Sequence, residues 1–221
     1  HPVVCLTFDD GPDLWSSYEN SSSVSIVDTL YKYDATATFY ICGYALDQRE
    51  VWTDFEVYTF LKQSINNGNE YGSHTAGHED LVDLSTADAI KKAINGPADS
   101  LNDLLGYKML TYRPPGGVFN DNVIAAQPYP AILWNVDSED WVSEDSEAIY
   151  NKVMSYDLES GDVILFHEIY EETAKAIEKI VPALIDKGIQ LVTVKDMLQY
   201  EGIDVNNLKY YYNLNPWPYY E

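Results

Sequence analysis

Short apolar runs recur along the chain, each closed by a turn and followed by a stretch where apolar residues return every three or four positions. The runs at 3–8, 36–42, 70–73, 109–112, 130–136, 162–166 and 189–194 read as strands, being short and bounded by turn-forming residues. Helical spacing covers 23–33, 55–66, 86–105, 144–156 and 171–187. The longest of these has Ser85 as its expected N-cap, Ile90, Ala93 and Ile94 along one face, and Gly106 at its stop. Strands alternating with helices predict a parallel sheet with helical crossovers. About seven such units predict an α/β fold closed into a distorted (β/α) barrel. A flat, doubly wound sheet is the alternative. No linker or composition shift divides residues 1–221, so a single domain is expected. Its aromatic tail at about 207–221 reads as a segment laid against the body.

Charge narrows the partners. Thirteen Lys+Arg against 36 Asp+Glu give a net charge of −23, which disfavours nucleic acid and anionic membranes. No stretch approaches the ~18 unbroken apolar residues of a membrane span. Cys5 and Cys42 sit inside strand-like runs and could be bridged or be buried thiols. The chain starts at His1 without Met or a leader-like segment, and Asn20-Ser21-Ser22 is a glycosylation sequon. A monomer that is secreted or held at the cell surface or wall is therefore expected.

Candidate chemistry gathers at the C-terminal ends of the strands, where such folds keep their sites. The first strand runs into Thr7-Phe8-Asp9-Asp10-Gly11-Pro12. Adjacent strand residues point to opposite faces, so a turn must intervene if both carboxylates are to reach the mouth. The third strand ends in Gly72-Ser73-His74-Thr75-Ala76-Gly77-His78. Two histidines four apart face one point on a helical turn and suit zinc, with Asp10 or Asp9 as a third ligand and an open position for water. His167 closes the run Val163-Ile164-Leu165-Phe166, either capped structurally or placed to move a proton. Asp140 could hold and charge it. Arg113, in a chain of few cations, is expected to pair with a nearby carboxylate.

TFDDGP, SHTAGH, RPPGG, DSEDW and LFH, in this order, resemble the motifs of the polysaccharide deacetylases, the NodB-homology domain of carbohydrate esterase family 4. The resemblance extends over residues 3 to about 200 and also covers connecting segments such as GIQLVTVKDML. It implies a distorted (β/α) barrel, a divalent metal (zinc first), and hydrolysis of N- or O-acetyl groups on sugars. By the motif matches, Asp9 is the general base, while Asp10, His74 and His78 are the metal ligands. Arg113 positions the base, Asp140 stands behind the catalytic His167, and Trp141 and Leu165 line the acetyl pocket. Chitin, or another N-acetylated polysaccharide, is the substrate expected. Two positions depart from the pattern. Gly116 stands where similar enzymes carry an aromatic residue whose backbone N–H serves the oxyanion hole. Glu168 follows the histidine in place of the usual Asp. A weakly catalytic polysaccharide-binding protein, and a deacetylase for peptidoglycan or acetylxylan, are the other classes that this sequence admits.

Overall fold

The computed structural model describes residues 1–47 and 51–211. In chain order the strands are β1 (Val3–Asp9), β2 (Thr38–Ile41), β3 (Glu70–Ser73), β4 (Ala131–Ile132), β5 (Val136–Asp137), β6 (Val163–His167), β7 (Gln190–Leu191) and β8 (Tyr210–Tyr211). Between them lie α1 (Ser22–Lys32), α2 (Gly43–Asp47), α3 (Asp54–Asn66), α4 (Ala87–Leu105), α5 (Asp121–Ala126), α6 (Ser146–Met154), α7 (Glu171–Asp186) and α8 (Val194–Tyr200). Every strand pairing among the described residues is parallel, in the order β3-β2-β1-β6-β5, with β7 joining the start of β1.

The sheet curls round to meet itself. Single bridges link Ser73 to Tyr112 and Tyr112 to Ala131, while Val136–Asp137 pairs with β6. The segment 131–137 therefore contacts both ends of the β3-to-β6 array, and the ring closes through it. This is the distorted barrel expected of the alternating pattern.

Strand alternation sorts the residues into two cores. Outward, Phe166, Phe8, Phe39 and Tyr71 are register partners on four neighbouring strands. They stack as a ladder with centroid spacings of 5.4, 5.0 and 5.4 Å. With Leu6, Ile164 and the apolar faces of the helices they form the largest buried cluster. Inward, Val3, Cys5, Tyr40, Ile132 and Val163 make a smaller cluster closed from one end by Val194, Met197 and Leu198. Thr7 and Asp9 continue this inner face toward the other end. The parallel strands thus deliver their C-terminal residues to one mouth.

Several expectations need correction. The N-cap of α4 is Thr86, not Ser85; its hydroxyl accepts from the Ala89 N–H at 3.2 Å. The run 109–112 contributes bridges at Tyr112 rather than a full strand. The run 130–136 breaks between β4 and β5, because the Ile132 and Leu133 carbonyls accept from the Arg113 guanidinium at 2.9 and 3.2 Å. Both cysteines are free and buried, Cys5 against the Met197 sulfur at 3.4 Å and Cys42 against the His74 carbonyl at 3.6 Å. Of the aromatic tail, Tyr210–Tyr211 pairs with β4 and so lies against the body; 212–221 falls outside the described residues.

Candidate active site

Asp9 is the last residue of β1, on the inner face with Cys5 and Thr7. A continued strand would send Asp10 outward with Phe8. Instead Asp10 has a left-handed backbone, φ 72°, and this bend turns its carboxylate back to the mouth. Such a conformation is unusual for a residue with a Cβ and is held only where surrounding contacts over-determine it. The following residue is anchored by the Cys42 N–H, which donates to the Gly11 carbonyl at 3.0 Å.

The two histidines meet by a loop, not by the helical turn that their spacing suggests. Thr75 and His78 both have positive φ, 71° and 58°, and these reversals fold 74–78 back on itself. α4 holds this loop through a local defect. Pro97 lacks an N–H, so the Ala93 carbonyl has no helical donor; it accepts the Ala76 N–H at 2.8 Å. Gly96 makes the approach possible, since a Cβ there would lie 2.7 Å from that of Ala76. The Ser73 hydroxyl adds a 2.6 Å bond to the Ile94 carbonyl. From the other side the Gly43 and Tyr44 N–H groups donate to the Thr75 and Ala76 carbonyls at 3.0 and 2.7 Å.

Asp10, His74 and His78 thereby converge. Asp10 Oδ1 lies 3.4 Å from His74 Nε2 and 3.3 Å from His78 Nε2, and the three potential ligand atoms lie within 4.8 Å of one another. His74 Nδ1 is 2.9 Å from the Arg113 carbonyl. A carbonyl can only accept, so Nδ1 carries the hydrogen and Nε2 is the atom turned toward Asp10, an orientation common for metal-ligating imidazoles. Burial works to raise the Asp10 pKa, but the close approach and charge of His74, with the charges of His167 and His78, outweigh it and hold the carboxyl below its ordinary value. Asp10 Oδ1 is buried without a hydrogen-bond partner among the described residues. An orphaned carboxylate oxygen between two imidazole nitrogens fits a divalent cation, and one carboxylate with two imidazoles suits zinc.

Arg113 fills the barrel interior and is completely buried. Its Nη1 donates to Asp9 Oδ1 at 2.8 Å and to the Thr7 hydroxyl at 2.9 Å, and the guanidinium lies 4.4 Å from the Tyr40 ring and 5.4 Å from that of Trp134. Asp9 Oδ2 is left free of the guanidinium and lies 3.6 Å from His74 Nε2. Across the mouth His167, the register partner of Asp9, bonds through Nδ1 to Asp140 Oδ1 at 2.8 Å. The Asp140 Oδ2 accepts from the His167 N–H at 2.7 Å and the Thr173 hydroxyl at 2.8 Å. Burial lowers the imidazole pKa, but the Asp140 hydrogen bond and charge, helped by Asp9 and Asp10, raise it to about 9.

The remaining expected residues are less uniform. Leu165 is buried on the inner face of β6, paired with Thr7. Trp141 is 56% exposed at the turn after Asp140. Gly116 has φ 62°, and a Cβ there would meet only the Val118 side chain, at 3.7 Å. Sequence reasoning missed Thr7 and Tyr40, although strand alternation puts both on the inner face. It also missed Thr173, which carries no local signal. Glu168, the departure noted after His167, has a buried carboxyl that accepts from the Ser23 hydroxyl. Burial first, then the charges of Asp13, Asp10 and Asp9, raise the Glu168 pKa to about 8 against the Ser23 hydrogen bond.

Carboxylates and imidazoles converging at the mouth of a parallel α/β barrel define a hydrolase-type centre. The chain belongs to the polysaccharide deacetylase family, whose sequence profile matches residues 1–129. It is 36% identical over 197 residues to the peptidoglycan-N-acetylmuramic acid deacetylase PdaC of Bacillus subtilis, covering 88% of this chain and 38% of that protein. A peptidoglycan-N-acetylglucosamine deacetylase of Bacillus cereus is 31% identical over 217 residues, covering 90% of this chain and 89% of the relative. The solved structure of PdaC superposes with a TM-score of 0.78 at 33% identity, over 91% of this chain and 92% of that one. The chain thus spans about two-fifths of the full Bacillus subtilis protein.

Proposed function

We propose that this domain hydrolyses N-acetyl groups on the amino sugars of a cell-wall polysaccharide, with peptidoglycan strands the first choice and zinc the metal. The observation that carries it is the placement of Asp9 with Arg113 and His167 with Asp140 around the Asp10, His74 and His78 cluster. The names of the relatives favour peptidoglycan over chitin, the polymer expected from sequence; both present acetamido groups on pyranose rings. A wall polymer also favours action at the cell surface.

When bound by Asp10, His74 and His78, zinc supplies Lewis acidity to the acetyl carbonyl and the attacking water. Asp9 has one oxygen committed to Arg113 and offers the other, Oδ2, to take the proton of that water. The Gly116 N–H is the candidate donor to the developing oxyanion. As the C–N bond breaks, protonated His167 delivers its proton to the departing amine, while Asp140 fixes the imidazole through Nδ1. Acetate and a free sugar amine result. Leu165 and Trp141 are the candidates to flank the acetyl methyl group.

Acetate release from peptidoglycan, chitin oligomers and acetylxylan, measured beside metal content, tests this reading. One equivalent of zinc per chain is expected, with acetate from the N-acetylated polymers; His74→Ala should lose both. Bound metal with no acetate from any of the three would sink the enzyme reading in favour of a polysaccharide-binding role. Success on acetylxylan alone would overturn the choice of substrate.

A further inference from the structure

Trp15 is 41% exposed, although it follows a fully buried Leu14 in a tightly bonded loop. The Asp13 carboxylate accepts from the Ser22 N–H at 3.0 Å and the Ser16 N–H at 3.3 Å. The Ser21 hydroxyl donates to the Asp13 carbonyl at 2.7 Å, and the Trp52 indole donates to the Ser16 carbonyl at 2.8 Å. The indole is therefore presented by a fixed backbone. Its neighbour is Tyr44, with ring centroids 6.1 Å apart and planes inclined by 34°. Tyr44 belongs to the α2 turn that clamps 74–78, so the pair abuts the Asp10 side of the catalytic mouth. On the His167 side Tyr170 stands 5.8 Å from the imidazole ring.

A large aromatic face held open to solvent beside a catalytic cluster costs hydrophobic free energy unless something covers it. Two inclined rings form a shelf rather than a closed stack. A pyranose suits such a shelf, because its axial C–H groups can lie on an aromatic face while its hydroxyls stay at the edge to hydrogen-bond. Burial foremost, with the charge of Asp10, pushes the Tyr44 hydroxyl up to about 12, so it stays a neutral donor and acceptor.

We propose that Trp15 and Tyr44 form a stacking subsite for the pyranose next to the one being deacetylated, making the enzyme selective for longer glycans. This rests on the activity proposed above. Oligomers of N-acetylglucosamine from dimer to pentamer serve as probes, by acetate release and by calorimetric binding to the metal-free protein. In the wild type kcat/KM should rise with chain length. Trp15→Ala should cut that rise at least fivefold, through KM rather than kcat, and Trp15→Phe should restore most of it. Calorimetry should show the same loss of pentamer affinity in Trp15→Ala. If the chain-length gain survives in Trp15→Ala, or kcat falls instead of KM rising, the subsite is overturned while the deacetylase reading stands. If the wild type releases no acetate yet binds pentamer through Trp15, the deacetylase reading falls and the subsite stands. No loss of pentamer affinity in Trp15→Ala overturns the subsite in either case.

Discussion

A Cβ added to Gly11 would lie 1.9 Å from Cδ of Glu168. The Glu168 side chain therefore occupies the space directly over the turn that carries Asp10. Its far end is tied to α1 through the Ser23 hydroxyl, which also accepts from the Asp13 N–H at 2.8 Å. The acidic turn is thus braced from behind by the residue following His167, and the longer Glu in place of Asp belongs to that brace.

Gly11→Ala should destabilise the protein by about 1–3 kcal/mol, the usual cost of overpacking a well-filled site. In a Glu168→Ala background the same change should cost much less. Urea unfolding of the two single variants and the double variant measures the coupling; additive effects would show that the turn yields without meeting Glu168.

Asp9→Asn is close to isosteric, and on sequence grounds it should spare the fold. The completely buried Arg113 changes that expectation. Removing its charged partner leaves an uncompensated buried cation, and breaking such a pair typically costs about 3–5 kcal/mol. The variant should therefore lose stability as well as hydrolysis, while still binding zinc through Asp10, His74 and His78. Denaturant midpoints and metal content separate these effects; loss of metal would mean that Asp9, not Asp10, is the ligand.

The barrel, its order of elements and the motif residues at its mouth were legible because each depends on local pattern. The ends of the apolar runs placed Asp9 and His167 at strand mouths, and turn residues marked where chemistry could sit. What stayed hidden depends on contacts between distant segments. The split of 130–136 arises because Arg113 draws on the Ile132 and Leu133 carbonyls, and no local propensity encodes that. The 74–78 loop defeated the helical reading because its reversal at Thr75 and His78 is enforced by Ala93 and Gly43. Thr173 reaches Asp140 from the first turn of α7, a contact without any signature in spacing.

His167 should titrate near 9 in the metal-free protein, against an ordinary value of 6.5. A histidine whose folded pKa is raised contributes stability that is complete below 6.5 and is lost as the pH climbs through about 9. Asp140→Asn removes the hydrogen-bonded charge and should bring the transition down toward the ordinary value. Two-dimensional NMR of the imidazole ring, recorded against pH, reads both. An unchanged midpoint in Asp140→Asn would show that Asp140 does not set the proton affinity of His167.

Gly116→Tyr should fold, because space is open around the added Cβ, but with a loss of roughly 1–2 kcal/mol for placing an L-residue in the left-handed region. Turnover at saturating substrate should change by less than about tenfold if the glycine already aims its N–H correctly. A rise of ~10²–10³ would reveal that glycine misdirects an oxyanion donor.

Arg113 grips the site with both ends: its guanidinium holds Asp9, and its carbonyl holds the His74 ring. It also begins the Pro-Pro-Gly-Gly turn at 114–117. A shift of that turn therefore reaches Asp9 and His74 through one and the same residue. Any such displacement is shared between the carboxylate and the imidazole instead of falling on one of them alone.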